Sequence, residues 1–245
     1  MRILKNTVAA LAIAVGAWTA GNAAAQCADL AAAAIDVPFA NEVAADTGAV
    51  YLSVVGGDTP TPNDCGLNPS NDGAEWAGWG GPLETDNASI GEGPGTRNFV
   101  TIAETRYARG IGTHAAAVFT FDLSGGDYMG FAGFVGMDHE KSLNLAAPDC
   151  DHGGSSGFIF SVDGTEVFDS GTIVAVVDGA LTAPVEVKFD IGPDAGELMI
   201  TVTDGGDGAS CDHSAIGDPK LLTSSSTAVD PREKTATMWG AIKRL

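Results

Sequence analysis

Positive charge is scarce in this sequence: 12 Lys and Arg stand against 32 Asp and Glu in 245 residues, a formal charge of -20. A nucleic-acid partner is excluded, because phosphate binding needs a clustered basic footprint. Adhesion to anionic lipid is disfavoured for the same reason. The scarcity is sharper in the middle of the chain, where residues 26–231 hold six basic and 31 acidic side chains, a net charge of -25. Charged residues are themselves few, 18% against 44% hydrophobic, which excludes a disordered chain. Aromatics make up only 7% and glycines number 33, a balance that favours short strands and tight turns over a helical bundle. Neither an H-E-x-x-H zinc motif nor a phosphate-binding loop occurs. The length fits one domain with appendages.

What is present begins with an export pattern. Arg2 and Lys5 precede the apolar run from Val8 to Ala17, and Trp18 and Ala23-Ala24-Ala25 follow. A positive start, a short apolar stretch and an A-x-A site predict a signal peptide over residues 1–25, with Gln26 as the new N-terminus. The run is too short to span a bilayer. Cys27 follows Gln26 rather than a small residue, against lipid attachment. The expectation is a soluble exported chain with no membrane insertion after cleavage, periplasmic, cell-surface or secreted, and bacterial. In an oxidising compartment its four cysteines, Cys27, Cys65, Cys150 and Cys211, predict disulfides. Three pairings are possible, and Cys150–Cys211 with Cys27–Cys65 is favoured.

Residues 26–48 form an alanine-rich N-terminal segment in which Ala28 to Ala34 suggests a short helix. Residues 56–98 are rich in proline and glycine, long enough for a loop to be functional or covalently pinned. Strand signals follow. Ala117, Phe119 and Phe121 alternate with Val118, Thr120 and Asp122, and Phe158, Phe160 and Val162 alternate with Ile159 and Ser161. Asp163-Gly164 then marks a hairpin turn, with Val167-Phe168 on the return strand. Val185, Val187, Phe189 and Ile191, and further on Leu198, Ile200 and Val202, repeat the alternation. These patterns predict an all-β antiparallel sandwich or barrel with long loops. Residues 223–231 read as a polar linker and residues 232–245 as a short basic tail.

Several segments carry a family pattern. They are Tyr51-Leu52-Ser53, Gly78-Trp79-Gly80-Gly81-Pro82, the run Tyr107 to Ala115 (YARGIGTHA) and Phe121 to Gly126 (FDLSGG). Phe131 to Asp138 (FAGFVGMD), Phe160 to Gly171, Glu197 to Asp207 (ELMITVTDGGD), Asp212-His213 and Asp218-Pro219-Lys220-Leu221 follow in order. Together, over residues 49–222, they resemble the NPCBM/NEW2 domain family, carbohydrate-binding modules related to carbohydrate-binding module family 51. The resemblance implies a jelly-roll β-sandwich that binds galactose-type or other glycans, often attached to glycoside hydrolases, and associated with structural calcium. Ile216 stands where the family often carries Trp, which implies a lost sugar-stacking role there. The insert around Cys65 exceeds the family's usual opening loop.

Sugar recognition needs an aromatic platform and a few fixed polar groups. Trp76 and Trp79 lie in loop-like sequence, as stacking platforms or as plugs of the sandwich end. His114 is either a ligand contact or a buried histidine bonded to backbone. Asp138, His139 and Glu140 are candidates for hydroxyl binding at the sandwich rim, a solvated loop being the competing reading. Cys-Asp-His occurs twice, at 150–152 and 211–213. A zinc site of Cys150, His152, Cys211 and His213 competes with a Cys150–Cys211 disulfide, which the compartment favours. Asp204 and Asp207, with Asp149 and Asp151, offer oxygen ligands suited to calcium. A glycosidase needs two carboxylates at a set separation, which spacing cannot show. The expected function is an exported, non-catalytic, lectin-like module for neutral glycans, galactose-type among them. The alternative is a structural surface or matrix protein that uses the sandwich without sugar binding.

Overall fold

The apolar alternations become strands where the sequence places them. The computed structural model describes residues 31–32, 39–46, 49–53, 66–76, 86–88, 96–97, 99–139 and 153–223. The strands that build its body are β1 (Val50–Tyr51), β2 (Gly110–His114), β3 (Ala117–Asp122), β4 (Tyr128–Met137) and β5 (Ser155–Val162). They continue with β6 (Thr165–Val174), β7 (Val185–Asp190), β8 (Glu197–Thr203) and β9 (His213–Thr223). One sheet runs β6-β5-β8-β3. The other runs β7-β4-β9-β1, with β2 also paired to β9. All pairings within the two sheets are antiparallel. Among the described residues no helix is long and apolar enough to cross a membrane.

Period-two alternation aims one row of each strand at the partner sheet. Phe119 and Phe121 of β3, Leu198, Ile200 and Val202 of β8, and Phe158 and Phe160 of β5 supply one face of the core. Phe131 and Val135 of β4, Val187 of β7, and Ile216 and Leu221 of β9 supply the other. The faces meet at three aromatic rings: Phe131 lies 5.1 Å from Phe160 and 5.3 Å from Phe189, centroid to centroid. Between β5 and β6, Asp163 and Gly164 have φ of 49° and 75°, the left-handed pair that a tight two-residue hairpin demands. The Asp163 carboxylate also accepts the amides of Gly196 and Glu197, both at 3.0 Å, tying this turn to the start of β8.

The second sheet is covered on its outer face as well. Asn41–Val43 pairs in parallel with Thr105–Tyr107, which pairs antiparallel with Thr101–Ile102. This layer buries Val100, Ile102 and Tyr107 against Ala215, with Phe134 packed beside them. Strand β9 therefore sends Ile216 into the sandwich and Ala215 outward into a second small core. Gly217 has to lack a side chain, because a Cβ there would meet the Tyr107 ring at 2.6 Å.

The long insert is partly pinned by hydrogen bonds at the free edge of β3. Ser70 N donates to Thr120 O at 2.6 Å. The Asn71 side chain donates to Val118 O at 2.9 Å and accepts Thr120 N at 3.0 Å. A short helix, Gly73–Trp76, follows, its Ala74 amide capped by Asp72 Oδ1 at 3.0 Å.

Two local readings change. Ala31–Ala32 does not lie in a helix but pairs in parallel with Thr96–Arg97. An isolated helix over so few alanines cannot recover its nucleation cost, whereas pairing supplies partners for the backbone directly. The rest of 26–38 and the predicted signal peptide lie outside the described residues. Strand β9 runs through Thr223, which pairs with Tyr128, one residue into the segment read as linker. The remainder of that linker and the basic tail also lie outside.

A buried ion pair fastens residue 86 to the body. Arg109 Nε lies 2.9 Å from Asp86 Oδ1, which also accepts the Gly110 amide at 2.9 Å. Both side chains are over nine-tenths buried. Removing one partner strands the other charge away from water, a loss of about 3–5 kcal/mol. Asp86→Ala should lower stability to urea by about that amount, whereas Glu166→Ala on the surface should change it little. Equal midpoints for the two variants would show that the pair does not hold this segment.

Candidate functional site

One end of the sandwich collects most of the predicted site. Antiparallel pairing brings the last residue of β2, His114, opposite the first residue of β9, His213. Their rings meet edge to face with centroids 5.1 Å apart. Strand β4 ends at the same level, where Asp138 N donates to His213 O at 2.9 Å and His139 follows. His114 and Asp138 are fully buried and His139 is nearly so, while His213 is half-buried. His114 Nδ1 lies 2.7 Å from Ala115 O. A carbonyl can only accept, so that nitrogen carries the hydrogen.

Beside the histidines, a hydroxyl and carboxylate network fixes the crossing between the start of β5 and the approach to β9. Ser155 N donates to Asp212 Oδ1 at 2.9 Å, and Ser155 Oγ donates to Asp207 Oδ1 at 3.0 Å. Ser156 and Ser214 share a hydrogen bond of 2.6 Å. The chains touch so closely that a Cβ on Gly154 would meet Cys211 O at 2.2 Å, and Gly154 itself has φ of 88°. Gly153-Gly154-Ser155-Ser156-Gly157 also spells G-x-S-x-G, but the context is wrong for a hydrolase. A nucleophile elbow joins a strand to a helix, whereas Ser155 opens strand β5 and its hydroxyl donates to a carboxylate.

The predicted residues thus separate into groups. His114, Asp138 and His139 come together, joined by His213 and Asp212. In the sequence His213 stands out in the Asp212-His213 family segment and in the alternative zinc set, but not as a candidate sugar contact. Asp204 and Asp207 lie in a turn: Asp204 Oδ1 accepts the Gly206 amide at 3.1 Å, and Asp207 Oδ1 is taken by Ser155. Among the described residues no group of three or more His, Cys, Asp and Glu side chains is arranged to hold a metal ion. Cys211 is disulfide-bonded, which removes its thiolate from the alternative zinc set. Its φ of 71° sets the turn into Asp212. Trp79, Glu140, Cys27, Cys65, Cys150, His152, Asp149 and Asp151 lie outside the described residues, as does the side chain of Trp76. Ile216 needs correction: it is fully buried in the sandwich core. A side chain at that position faces inward, so the replacement there says nothing about sugar stacking.

Burial, chiefly, holds the His139 imidazole below its ordinary range, and the nearby Glu104 carboxylate opposes that shift only in part. Its Nδ1 has no hydrogen-bond partner among the described residues.

The fold is thus an all-β sandwich with polar residues fixed at one loop-bearing end. The NPCBM/NEW2 domain matches residues 67–222, more than half of the sequence. The chain belongs to that family, whose domains are non-catalytic carbohydrate-binding modules appended to glycoside hydrolases. Similar solved structures are CBM51 modules. One, from Clostridium perfringens GH95 in complex with methyl-galactose, is 30% identical with a TM-score of 0.46, covering 59% of this chain and 90% of that one. A second, the M60 catalytic domain with the CBM51-1 and CBM51-2 domains from Clostridium perfringens ZmpB, is 31% identical with a TM-score of 0.49. It covers 64% of this chain and 14% of that one. A third, CBM51-2 in complex with GlcNAc and INT domains from the same ZmpB, is 21% identical with a TM-score of 0.45, covering 60% and 29%. No curated protein matches significantly.

A histidine kept neutral in the fold but charged when unfolded makes the unfolded chain bind more protons. Stability should therefore rise with pH between the lowered folded value and the ordinary 6.5, and fall on acidification below it. Thermal melts across that interval should show the decline, and His139→Gln should make it shallower. An unchanged slope in the variant would remove His139 as its source.

Proposed function

We propose that this protein is an exported module that holds neutral glycans, galactose-type among them, at the loop-bearing end marked by His114, Asp138, His139 and His213. The family match across residues 67–222 carries this reading, because it includes every strand of the sandwich except β1. The strong negative charge supports uncharged ligands, since anionic sugars would meet repulsion at long range. Trp79 and Trp76 are the proposed stacking platforms and Glu140 and His213 the proposed hydroxyl partners, while Asp138, fully buried, holds the His213 backbone through its amide. Among these, His213 is the histidine with exposed surface in the described end. The signal-peptide pattern, together with the disulfide at Cys211, supports export.

A glycan array followed by calorimetry, with and without calcium, tests the reading. Methyl galactoside and N-acetylglucosamine serve as first probes. Binding should be present and should weaken at least about tenfold in a folded Trp79→Ala variant. Absence of binding to every sugar, in both calcium conditions, would overturn it. Enhancement by calcium that is lost in Asp204→Asn would assign the ion to the loop around Asp204 and Asp207.

A second reading, a structural surface protein that kept the sandwich without sugar binding, is favoured by one observation: His114, Asp138 and His139 are all buried. Loss of measured glycan binding in folded Trp79→Ala would eliminate it.

We also propose Cys150 as the partner of Cys211, with Cys27 joined to Cys65. Peptide mapping without reduction should recover a linked pair spanning residues 150 and 211. Recovery of Cys211 joined to Cys27 or Cys65 would reject that connectivity.

A further inference from the structure

An open groove of about 540 Å³ lies on the outer layer of the molecule. Asn41, Glu104 and Thr105 give it one polar side, and Leu181, Ala183 and Pro184 give it an apolar one. We propose that this groove is a second saccharide-binding site, specific for uncharged sugar units and separate from the loops assigned above. The proposal rests on the carbohydrate-binding reading and adds a site that the family match does not contain in full, since Asn41 lies upstream of residue 67.

The chemistry suits a sugar. A pyranose ring presents C–H groups on one face and hydroxyls around its rim. Leu181, Ala183 and Pro184 can cover the first. A carboxamide, a carboxylate and a hydroxyl can each bond the second. Among the described lining residues Glu104 alone is charged, so the groove accepts hydroxyl donors and repels uronic or sialic acids. Its volume lies within the range usual for small-molecule sites.

The walls are also held before any ligand arrives, which lowers the ordering cost of binding. Ala40 N and Asn41 N both donate to Glu104 O, at 2.7 and 3.1 Å. The Arg106 guanidinium lies over the Phe99 ring at 3.2 Å and the Phe39 ring at 5.1 Å, fastening the N-terminal strand to the body. Ala103 is held at φ of 50°, a conformation uncommon for alanine, which turns the chain so that Glu104 stands at the rim. Opposite, the hairpin Val176–Val177 and Ala180–Leu181 turns through Asp178 and Gly179, both with positive φ. Thr182 N then donates to Ala175 O at 3.0 Å, fixing the approach to Ala183 and Pro184.

The test uses the full exported chain labelled with ¹⁵N and titrated with the neutral disaccharide galactose–N-acetylglucosamine, then with its sialylated form. Amides of residues 41, 104, 105, 179 and 181 should shift and saturate with the neutral sugar. Leu181→Trp, which fills the groove, should weaken those shifts at least about fivefold. Asn41→Ala, at an exposed position that tolerates truncation, should weaken them about threefold. Trp79→Ala should leave them in place. The sialylated form should bind the groove more weakly, and Glu104→Gln should narrow that difference. If other amides saturate while the groove stays silent, or if both groove variants match the parent, the second site is wrong and the family reading stands. If no amide responds anywhere, the second site is wrong, and only silence across the whole glycan array would overturn the carbohydrate-binding reading as well.

Discussion

Strand β9 has to serve two neighbours on one side, and the irregularity at Asp218-Pro219, midway along it, lets it do so. Its first half pairs with β2 and its second half with β1, while β4 accompanies it along the other side. The register against β4 shifts between Gly217 and Lys220, and Asp218 sits there with φ of 51°. Proline cannot donate to a ladder, so a bulge is where a strand can hold one. The Asp218 carboxylate makes the break tolerable: it accepts the Tyr51 hydroxyl at 2.8 Å and faces Lys220 at 2.9 Å. Its amide donates to Arg109 O. Tyr51 in turn lies under the Arg109 guanidinium, 4.4 Å from ring centre to carbon. Burial and the Asp218 charge hold the Tyr51 phenol well above its usual range, so the hydroxyl remains a donor at any physiological pH. Beginning, middle and end of the domain are joined at this one residue.

The same chain path decides where function can sit. Covering the outer face of the second sheet with the layer around Val100, Ile102 and Tyr107 leaves that face closed to ligands. The loops at the β2–β9 end and the groove beside Glu104 are what stay open to shaping. Electrostatics connects the two, since the Glu104 charge reaches His139.

Much of the sandwich was legible because its strands are half-buried. Phe119 and Phe121, or Leu198, Ile200 and Val202, alternate with polar residues, and burial follows the same period. The family resemblance then ordered the strands. Contacts that depend on which loops lie side by side were not legible. Nothing local tells that Asn71 reaches Thr120, or that Glu104 comes near His139. Ile216 shows the limit most clearly. The family resemblance implied a lost sugar-stacking contact there, but the outer layer around Tyr107 takes Ala215 and thereby turns Ile216 inward. His114, Asp138 and His139 were found by residue type and position, whereas their burial came from the packing of β2, β4 and β9 together.

The covering of β3 by Ser70 and Asn71 has a bearing on how copies of the molecule behave near one another. A sheet edge with unspent amides and carbonyls invites a neighbouring sheet to add itself. Here part of that edge is occupied by a side chain that imitates a strand, giving and taking hydrogen bonds with Val118 and Thr120. A carboxamide is uncharged, so this protection does not depend on salt or acidity. A neighbouring copy that approached this stretch of the edge would find the Thr120 amide and the Thr120 and Val118 carbonyls already bonded.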